Sequence, residues 1–297
     1  MVKNQIAKMA EKLYCLESMV YLTAGLFDIS EYPDVEVESA IVKVYASETS
    51  DFIVKTCTSL LGREALLEDS PAMAFIKQNQ FLQNYHGPSN ILKTFISISG
   101  IGHLVQHAGP AINKKISTLS PISMLSWTTH GMKHEYDKAP LTHKLSDCVH
   151  PRMMTTADKL EYVVEKIPFL ATNLYLKYQK MNNAIPEHEL VKLADIVIET
   201  FAMTCCLSRS NRSYIVGNLH GEHEIGLSVP YINDAKFKCK QLFLEIQNWE
   251  GEEDDRREQT WVQLGYFLTE EHKGYKLSHP LTRVPAETLN KDNSIGH

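Results

Sequence analysis

Two histidines one helical turn apart are the first residues in this sequence whose types and spacing could do chemistry. His103 and His107 are four residues apart, so on a helix both could face one metal ion. A mononuclear site would still need a third ligand, usually a carboxylate. The chain contains 13 histidines, so such pairs arise readily by chance. We therefore interpret the pair as structural and expect no metal site.

Two arginines in a serine-rich stretch are the second candidates. Arg209 and Arg212 lie near the predicted end of a helix, where guanidinium groups could bind a carboxylate or a phosphate through paired hydrogen bonds. Ion pairs with neighbouring acids are the alternative, and the one that we favour. A further cluster is interpreted as a solvated turn at the start of a helix, where the positive end of the helix dipole stabilises carboxylates. It consists of His220, Glu222, His223 and Glu224.

Composition excludes several classes of protein. The chain has 297 residues, 43% hydrophobic and 22% charged, which is ordinary for a globular protein of about two domains. A net charge of −6 without a basic patch argues against nucleic-acid binding. The sequence has no run of about 18 apolar residues that could span a membrane. Its first residues resemble neither a secretory signal nor a transit peptide. Dinucleotide-binding, P-loop and Gly-x-Ser-x-Gly motifs are missing from the sequence. The cysteines form no Cys-x-x-Cys pair, so we expect buried, reduced thiols.

The elements that must position these residues are predicted to be helices. Apolar residues recur at helical spacing over 3–27, from near Pro33 to Gly62, over 71–82 and after Ser89. Strand-like alternation persists nowhere, so we predict an all-α fold. The later helical patterns cover 155–181 with a kink or break at Pro168, a stretch after Pro186 through Leu207, about 230–248 and about 258–271.

Residues 109–151 interrupt the helical pattern with repeated prolines. A connection of this length inside a compact protein is usually functional or disordered. We therefore predict a domain over 1–108, a long connection over 109–151 and a second domain over 152–297. The charge run Glu250–Glu258 is interpreted as a solvated turn, with an interaction tail as the alternative.

Strings near the N-terminus resemble the C-terminal helical domain of acyl-CoA dehydrogenases. They are ESMVYLTAGLFD over Glu17–Asp28 and ESAIVKV over Glu38–Val44, with Leu61-Gly62 and Tyr85-His86-Gly87 at the spacing of two further family signatures. This resemblance covers residues 1 to about 107. It implies the helical bundle of that domain.

The remaining residues resemble the extra C-terminal helical domain of the very-long-chain and family-member-nine branches. Val149-His150-Pro151, LSRSNRS over 207–213 and His279-Pro280-Leu281 carry this resemblance. The string YLTAG over Tyr21–Gly25 favours family member nine. The implied architecture is the dehydrogenase-type bundle followed by a second helical domain.

The resemblance also implies that the catalytic base has been lost. In most branches, the Glu of a Phe/Tyr-Glu-Gly-Thr motif removes a proton α to a thioester, and flavin adenine dinucleotide (FAD) accepts the β-hydride. This sequence has Tyr85-His86-Gly87-Pro88, so His86 stands at the base position. Pro88 has neither the hydroxyl nor the amide hydrogen that the family threonine offers the flavin.

The flavin positions that the resemblance marks have changed as well. The family's Gly-Gly-x-Gly-Tyr loop reads Gly62-Arg63-Glu64-Ala65-Leu66 here, and Ser59 replaces the Gln that precedes it. A Leu-Arg-Asp-x-Arg segment has become IKQNQ over 76–80. The chain also begins inside the family's first C-terminal-domain helix, downstream of the domains that supply most flavin contacts. The degenerate cofactor positions are therefore Ser59, Gly62, Arg63, Gly87 and Pro88, and we expect no bound FAD.

The implied function is non-catalytic. By resemblance to family member nine, we expect a homodimeric scaffold for assembly of mitochondrial respiratory complex I, in the matrix or on the matrix face of the inner membrane. The implied partner is the evolutionarily conserved signalling intermediate in Toll pathways. Candidate contacts with a partner or membrane are Lys114, Lys115, Ile122, Leu125 and Trp127, although an ordinary linker is an equal alternative. Two rival functions stay open: a fragment of an FAD-dependent (very) long-chain acyl-CoA dehydrogenase, and a helical interaction protein unrelated to respiration.

Overall fold

A computed structural model describes residues 1–29, 31–117, 144–181, 184–247, 260–261 and 263–271. Every regular element among these residues is helical, which confirms the all-α prediction. The long helices are α1 (Val2–Phe27), α2 (Glu36–Leu61), α3 (Pro71–Asn84), α4 (Ser89–Ser117), α5 (Met154–Met181), α6 (Glu187–Val216) and α7 (Gly221–Gln247). Short 3₁₀ turns cover Gly62–Leu66, Leu145–Asp147 and Pro151–Met153.

Glycine and a capping serine set several helix ends. α2 ends at Gly62, whose φ of 61° lies in the left-handed region that favours glycine. α3 begins with Pro71 after Ser70, whose Oγ accepts a hydrogen bond from the Ala72 amide at 3.3 Å. α6 ends at Gly217 with φ 78° and ψ 36°, and the following amide, of Asn218, donates to the Ser213 carbonyl at 3.0 Å.

Three helix bounds differ from the sequence prediction. α2 begins at Glu36, three residues after Pro33. α4 continues to Ser117, so the first part of the predicted connection is helical despite Pro110. α7 begins at Gly221 and contains Pro230, where the helix was predicted to begin. α5 has the predicted bounds and passes through Pro168 without a break. The reason is the same for all three prolines: proline removes one backbone hydrogen bond, and a long helix that retains its other bonds can tolerate that loss.

One hydrophobic core joins helices from both sides of the predicted connection. Residues Met1–Gln247 form a compact unit in which α6 packs against α1, α2, α4, α5 and α7. Among the fully buried side chains are Met19 of α1, Val44 of α2, Ile96 of α4 and Met203 of α6. The proposed division at 108 and 152 stays a prediction, because residues 118–143 lie outside the described part of the chain.

Cysteines contribute to the core as thiols. All six are free, and Cys15, Cys205, Cys206 and Cys239 are buried, as predicted. Cys148 is exposed, which differs from that expectation.

Two buried polar groups tie the helices together. Lys93 of α4 donates from Nζ to Glu48 Oε1 of α2 at 2.5 Å and to Asp195 Oδ1 of α6 at 2.7 Å. Glu199 of α6 accepts from the Tyr231 hydroxyl and from Lys238 Nζ of α7, each at 2.7 Å. These contacts satisfy charges that would be costly to bury alone.

A second unit comprises Asn248–His297. Its described residues are helical at 260–261 and 263–266 and end in a single π-turn at Phe267–Glu271. This agrees with the helix predicted over about 258–271. Glu250–Glu258 lie outside the described residues.

Candidate functional site

The turn between α3 and α4 carries the predicted base position. His86 is exposed and has φ 63°, a left-handed conformation that a residue with a β-carbon rarely adopts. Gly87 follows with φ 102°, and its amide donates to the Asn84 carbonyl at 3.2 Å. The imidazole meets the Tyr85 ring edge-on, with ring centroids 4.2 Å apart. In this turn His86 faces solvent and does not line a buried pocket.

The predicted flavin positions on α2 lie at its C-terminal end. Ser59, Gly62 and Arg63 are all exposed. A β-carbon added at Gly62 or Gly87 would meet no heavy atom within 4 Å. Both glycines are therefore explained by their positive φ angles, not by close packing within the chain. Arg63 carries a long side chain where a glycine-rich loop would offer bare backbone, so these residues do not fit the family's mode of holding FAD.

Polar contacts fix α3 antiparallel to α2. The Lys43 ammonium donates to the Leu82 carbonyl at 3.1 Å, the Gln83 side-chain amide donates to the Ser47 carbonyl at 2.7 Å, and Ser50 donates to Asn79 at 2.8 Å. The end of α3 therefore lies beside the first half of α2.

This pairing separates the two groups of predicted site residues. Gln83, three residues before His86, is anchored at Ser47, which is 15 residues before Gly62 on α2. At about 1.5 Å per residue, that distance is roughly 22 Å along the helix axis. Within one chain the structure thus keeps His86 apart from the Gly62 end of α2.

An apolar face of α3 was missed by the sequence reasoning. Phe75, Phe81 and Leu82 are 63%, 66% and 52% exposed, and Tyr85 follows at 49%. Phe81 and Leu82 line a shallow cavity of about 480 Å³ together with Lys77. The available signal was that the apolar residues of this helix extend around it beyond Asn79 and Gln83, the polar residues that bind α2. Such a face suits contact with another protein surface.

Arg209 holds α1 against α6 and α7. Its Nη1 lies 3.3 Å from Glu17 Oε2, and its Nε lies 3.9 Å from Glu224 Oε2. Its guanidinium group also stacks on the rings of Tyr14 at 4.6 Å and Tyr21 at 5.4 Å. This is the ion pairing with neighbouring acids that we favoured from the sequence.

Glu224 is saturated by the same cluster. It accepts from the Tyr14 hydroxyl at 2.9 Å and from Ser213 Oγ at 2.8 Å. Burial and the hydrogen bond to Glu224 raise the pKa of Tyr14 far above its ordinary value, so the phenol stays a proton donor. Arg212 is exposed and lines a cavity of about 330 Å³ beside this cluster.

The two histidines that were considered as metal ligands are only partly described. His103 is exposed on α4, and the His107 side chain lies outside the described residues. No group of three or more His, Cys, Asp or Glu residues that could hold a metal is present among the residues described. In the cluster at the start of α7, Glu222 pairs with Arg152 at 2.9 Å.

The residues proposed to contact a partner or membrane are only partly visible. Lys114 and Lys115 lie on the last turns of α4, but their side chains are outside the described residues, as are Ile122, Leu125 and Trp127 entirely. Within the described ranges, no helix has the length and apolar character needed to cross a bilayer.

Two strings that carry the second resemblance meet in space. The His150 amide donates to Asn211 Oδ1 at 2.9 Å, and the His150 ring packs on the Tyr214 ring with centroids 4.6 Å apart. Arg152 lies over the same tyrosine at 5.7 Å. The turn at 149–152 is thus held against the second half of α6 by His150 and Asn211 of the two strings and by their neighbours Arg152 and Tyr214.

Comparison with known proteins matches two different domains to the two parts of the chain, the same parts that the two sets of resembling strings indicate. Residues 1–99 match the family model described as "Acyl-CoA dehydrogenase, C-terminal domain", and residues 151–262 match "ACAD9/ACADV, C-terminal domain". The chain belongs to the acyl-CoA dehydrogenase family. This confirms the resemblance, while the preference for family member nine over the very-long-chain branch stays a prediction.

The relatives are similar in sequence only at a low level. The chain is 22% identical over 249 residues to the mitochondrial very long-chain specific acyl-CoA dehydrogenase of Rattus norvegicus, covering 83% of this chain and 37% of that protein. The corresponding human protein is 23% identical over 261 residues, covering 85% of this chain and 38% of its own length. The chain thus spans less than two-fifths of the curated relatives that it matches.

A solved structure supports the fold. An acyl-CoA dehydrogenase from Bacillus anthracis, crystallised with FAD, superposes with a TM-score of 0.56 at 17% identity. The match covers 82% of this chain and 41% of that protein. At this identity the likeness establishes the helical architecture alone.

Proposed function

We propose that this chain is a non-catalytic acyl-CoA dehydrogenase homologue that acts as a protein-binding scaffold. The observation that carries the proposal is the turn at His86. A base that removes a proton α to a thioester must be held close to that carbon in a site that excludes water. Here the residue at the base position is an exposed imidazole on a left-handed turn.

The flavin positions support the same proposal. Pro88 has no amide hydrogen to donate, and its carbonyl is used at the start of α4, where it accepts from the Ile91 amide at 3.1 Å. Arg63 stands in place of a glycine in the loop after α2. A loss of FAD binding would leave the helical core intact, because none of these residues belongs to it.

The scaffold's setting is proposed to be the assembly of mitochondrial respiratory complex I. The proposed location is the matrix or the matrix face of the inner membrane, and the proposed partner is the evolutionarily conserved signalling intermediate in Toll pathways, with a homodimer as the working unit. Support comes from the resemblance to family member nine and from relatives whose names place them in mitochondria. The exposed apolar face of α3 offers a surface suited to a protein partner.

The purified chain tests the proposal directly. We expect no flavin absorbance and no reduction of an electron-accepting dye with palmitoyl-CoA. Near-stoichiometric flavin or dye reduction well above a boiled control would contradict it. In mitochondria, the tagged chain should co-purify complex I assembly factors, and Phe81→Asp should weaken that capture. The matched control is Phe237→Asp, which replaces a side chain of α7 that is 64% exposed.

The predicted contacts on 109–151 are proposed as a second, separable surface. Reversing charge at Lys114 and Lys115 and replacing Trp127 by alanine should reduce sedimentation with anionic liposomes if this region binds the inner membrane. If sedimentation and partner capture are both unchanged, residues 109–151 are an ordinary linker and this proposal is wrong.

The second candidate function is catalytic. The names of the relatives favour it, since these are very long-chain dehydrogenases. In that case the chain is a piece of a longer FAD-dependent enzyme in which His86 is a tolerated variant. His86→Glu in a version extended upstream should then raise turnover of palmitoyl-CoA. If neither version is active, this second function is excluded.

A further inference from the structure

Lysines from two neighbouring helices gather beside one tyrosine where α5 packs on α7. Lys236 Nζ of α7 lies 5.0 Å from the centroid of the Tyr162 ring of α5. Lys159, three residues before Tyr162, donates from Nζ to the side-chain oxygen of Asn233 of α7. Lys240 follows Lys236 by four residues and therefore lies on the same face of α7. We call Lys159, Lys236 and Lys240 the lysine strip.

The two helices run in the same direction along the lysine strip. Lys159 contacts Asn233, and three residues later on each helix Tyr162 contacts Lys236. Asn233 and Lys240 are seven residues apart, which is roughly 10 Å at about 1.5 Å per residue. The three lysines therefore form a row along the contact between α5 and α7.

The charges of this row are not neutralised by ion pairs. Within the ranges that the structure describes, no carboxylate forms an ion pair with any of the three lysines, and the Asn233 amide that Lys159 contacts is neutral. Lys238 lies between the two α7 lysines in the sequence, but it turns towards α6 and pairs with Glu199 at 2.7 Å. The lysine strip is thus separate from the buried ion pair beside it.

Electrostatic repulsion acts within the lysine strip. Burial and the positive charges of Lys159 and Lys240 lower the pKa of Lys236, and the carboxylate of Asp158 offsets only part of this effect. Bringing an anion to the row would relieve the repulsion between its members.

We propose that the lysine strip binds a soluble ligand that carries several linked phosphate groups. Lysine binds phosphate as a point charge, and a single phosphate ion is too short to reach both ends of a row of roughly 10 Å. A chain of phosphates can place an anionic oxygen beside each lysine. Contacts with Asn233 and Tyr162 hold two of the three ammonium groups in place, so less side-chain entropy is lost on binding.

This site is independent of the scaffold function. It lies on α5 and α7, whereas the flavin positions lie at the end of α2 and in the turn between α3 and α4. Flavin absorbance and partner capture by the α3 face do not depend on these lysines. Failure of the site and failure of the proposed function are therefore distinguishable.

Titration calorimetry of the full chain with sodium tripolyphosphate tests the proposal. We expect the wild type to bind, and Lys240→Gln to raise the dissociation constant at least five-fold. The matched control is Lys77→Gln, which removes the same charge from an exposed side chain of α3 and should bind as the wild type does. A wild type that does not bind, or a Lys240→Gln chain that binds as tightly as Lys77→Gln, would overturn the proposal.

Thermal unfolding distinguishes a ligand site from lysines that only support the fold. Without tripolyphosphate, Lys240→Gln should melt at the wild-type temperature or slightly above it, because the substitution removes a charge that repels Lys236. With tripolyphosphate, the melting temperature of the wild type should rise by more than that of the variant. If both rise equally, the proposal is wrong.

Vesicles distinguish a soluble ligand from a membrane surface that presents phosphate groups. Wild type and Lys240→Gln should sediment equally with vesicles of phosphatidylcholine and phosphatidylglycerol, whatever residues 109–151 contribute. If Lys240→Gln reduces sedimentation while the wild type does not bind tripolyphosphate, the strip contacts a membrane and the proposal of a soluble ligand is refuted.

Discussion

Replacing Lys93 by methionine would remove the ammonium group that joins α2, α4 and α6 while keeping an unbranched apolar stem. The Lys93 side chain is 10% exposed, whereas those of Glu48 and Asp195 are 44% and 20% exposed. Burial lowers the pKa of Lys93, but its hydrogen bonds to Asp195 and Glu48 outweigh burial and leave the pKa above its ordinary value. The group is therefore charged at neutral pH, and its pair with Asp195 connects helices from either side of residues 109–151.

The expected cost follows from what each partner can do without the ammonium group. Glu48 is close enough to solvent to be rehydrated, so the loss of its ion pair contributes little to the destabilisation. Asp195 is left mostly buried without its donor, and a charge-assisted hydrogen bond of this kind contributes about 1.5–3 kcal/mol. We expect Lys93→Met to lower the free energy of unfolding by about 2–3 kcal/mol and the melting temperature by roughly 5–10 °C. Asp195→Asn should lower the free energy of unfolding by less than Lys93→Met does. The double variant should lower it by clearly less than the sum of the two single substitutions.

Urea denaturation followed by circular dichroism measures these differences. The control is Lys55→Met, because Lys55 pairs with Asp51 at 2.5 Å but is 75% exposed and should cost at most about 0.5 kcal/mol. A folded-state pKa above the ordinary value means that the Lys93 contribution is complete at neutral pH and is lost as pH rises through that raised pKa. The difference in free energy of unfolding between wild type and Lys93→Met should therefore decrease only in alkaline solution. If Lys93→Met costs no more than Lys55→Met, the buried bridge does not stabilise the fold as we argue.

Three further substitutions test local backbone and network arguments by the same unfolding measurement. Gly62→Ala should destabilise the chain by about 1–2 kcal/mol because φ 61° is strained for alanine; an unchanged urea midpoint would be inconsistent with the helix end described. His86→Gly should stabilise it by up to about 1 kcal/mol, since φ 63° suits glycine, and a loss of stability would show that the imidazole makes a needed contact. Tyr231→Phe should cost about 1.5–3 kcal/mol by leaving Glu199 without one of its donors, and a cost near zero would mean that water replaces the hydroxyl.

Much of the fold could be predicted from the sequence because helical periodicity is a local property. The bounds of α1 and α3 follow from apolar spacing and from Ser70 and Pro71, and the end of α2 follows from Gly62. Pro230 misled the prediction, since sequence rules place proline at a helix end, and Pro168 does not break its helix either. In the structure, a long helix packed on its neighbours keeps its remaining hydrogen bonds and continues.

The sequence by itself determined the family and which residues are candidates for a site, because both depend on which side chains follow one another along the chain. Only the tertiary structure decided where those residues lie. The antiparallel pairing of α3 on α2 separates His86 from Gly62, and the packing of α1 on α6 turns Arg209 into an internal ion pair. Contacts between residues far apart in sequence depend on how whole helices pack, and no local pattern records them.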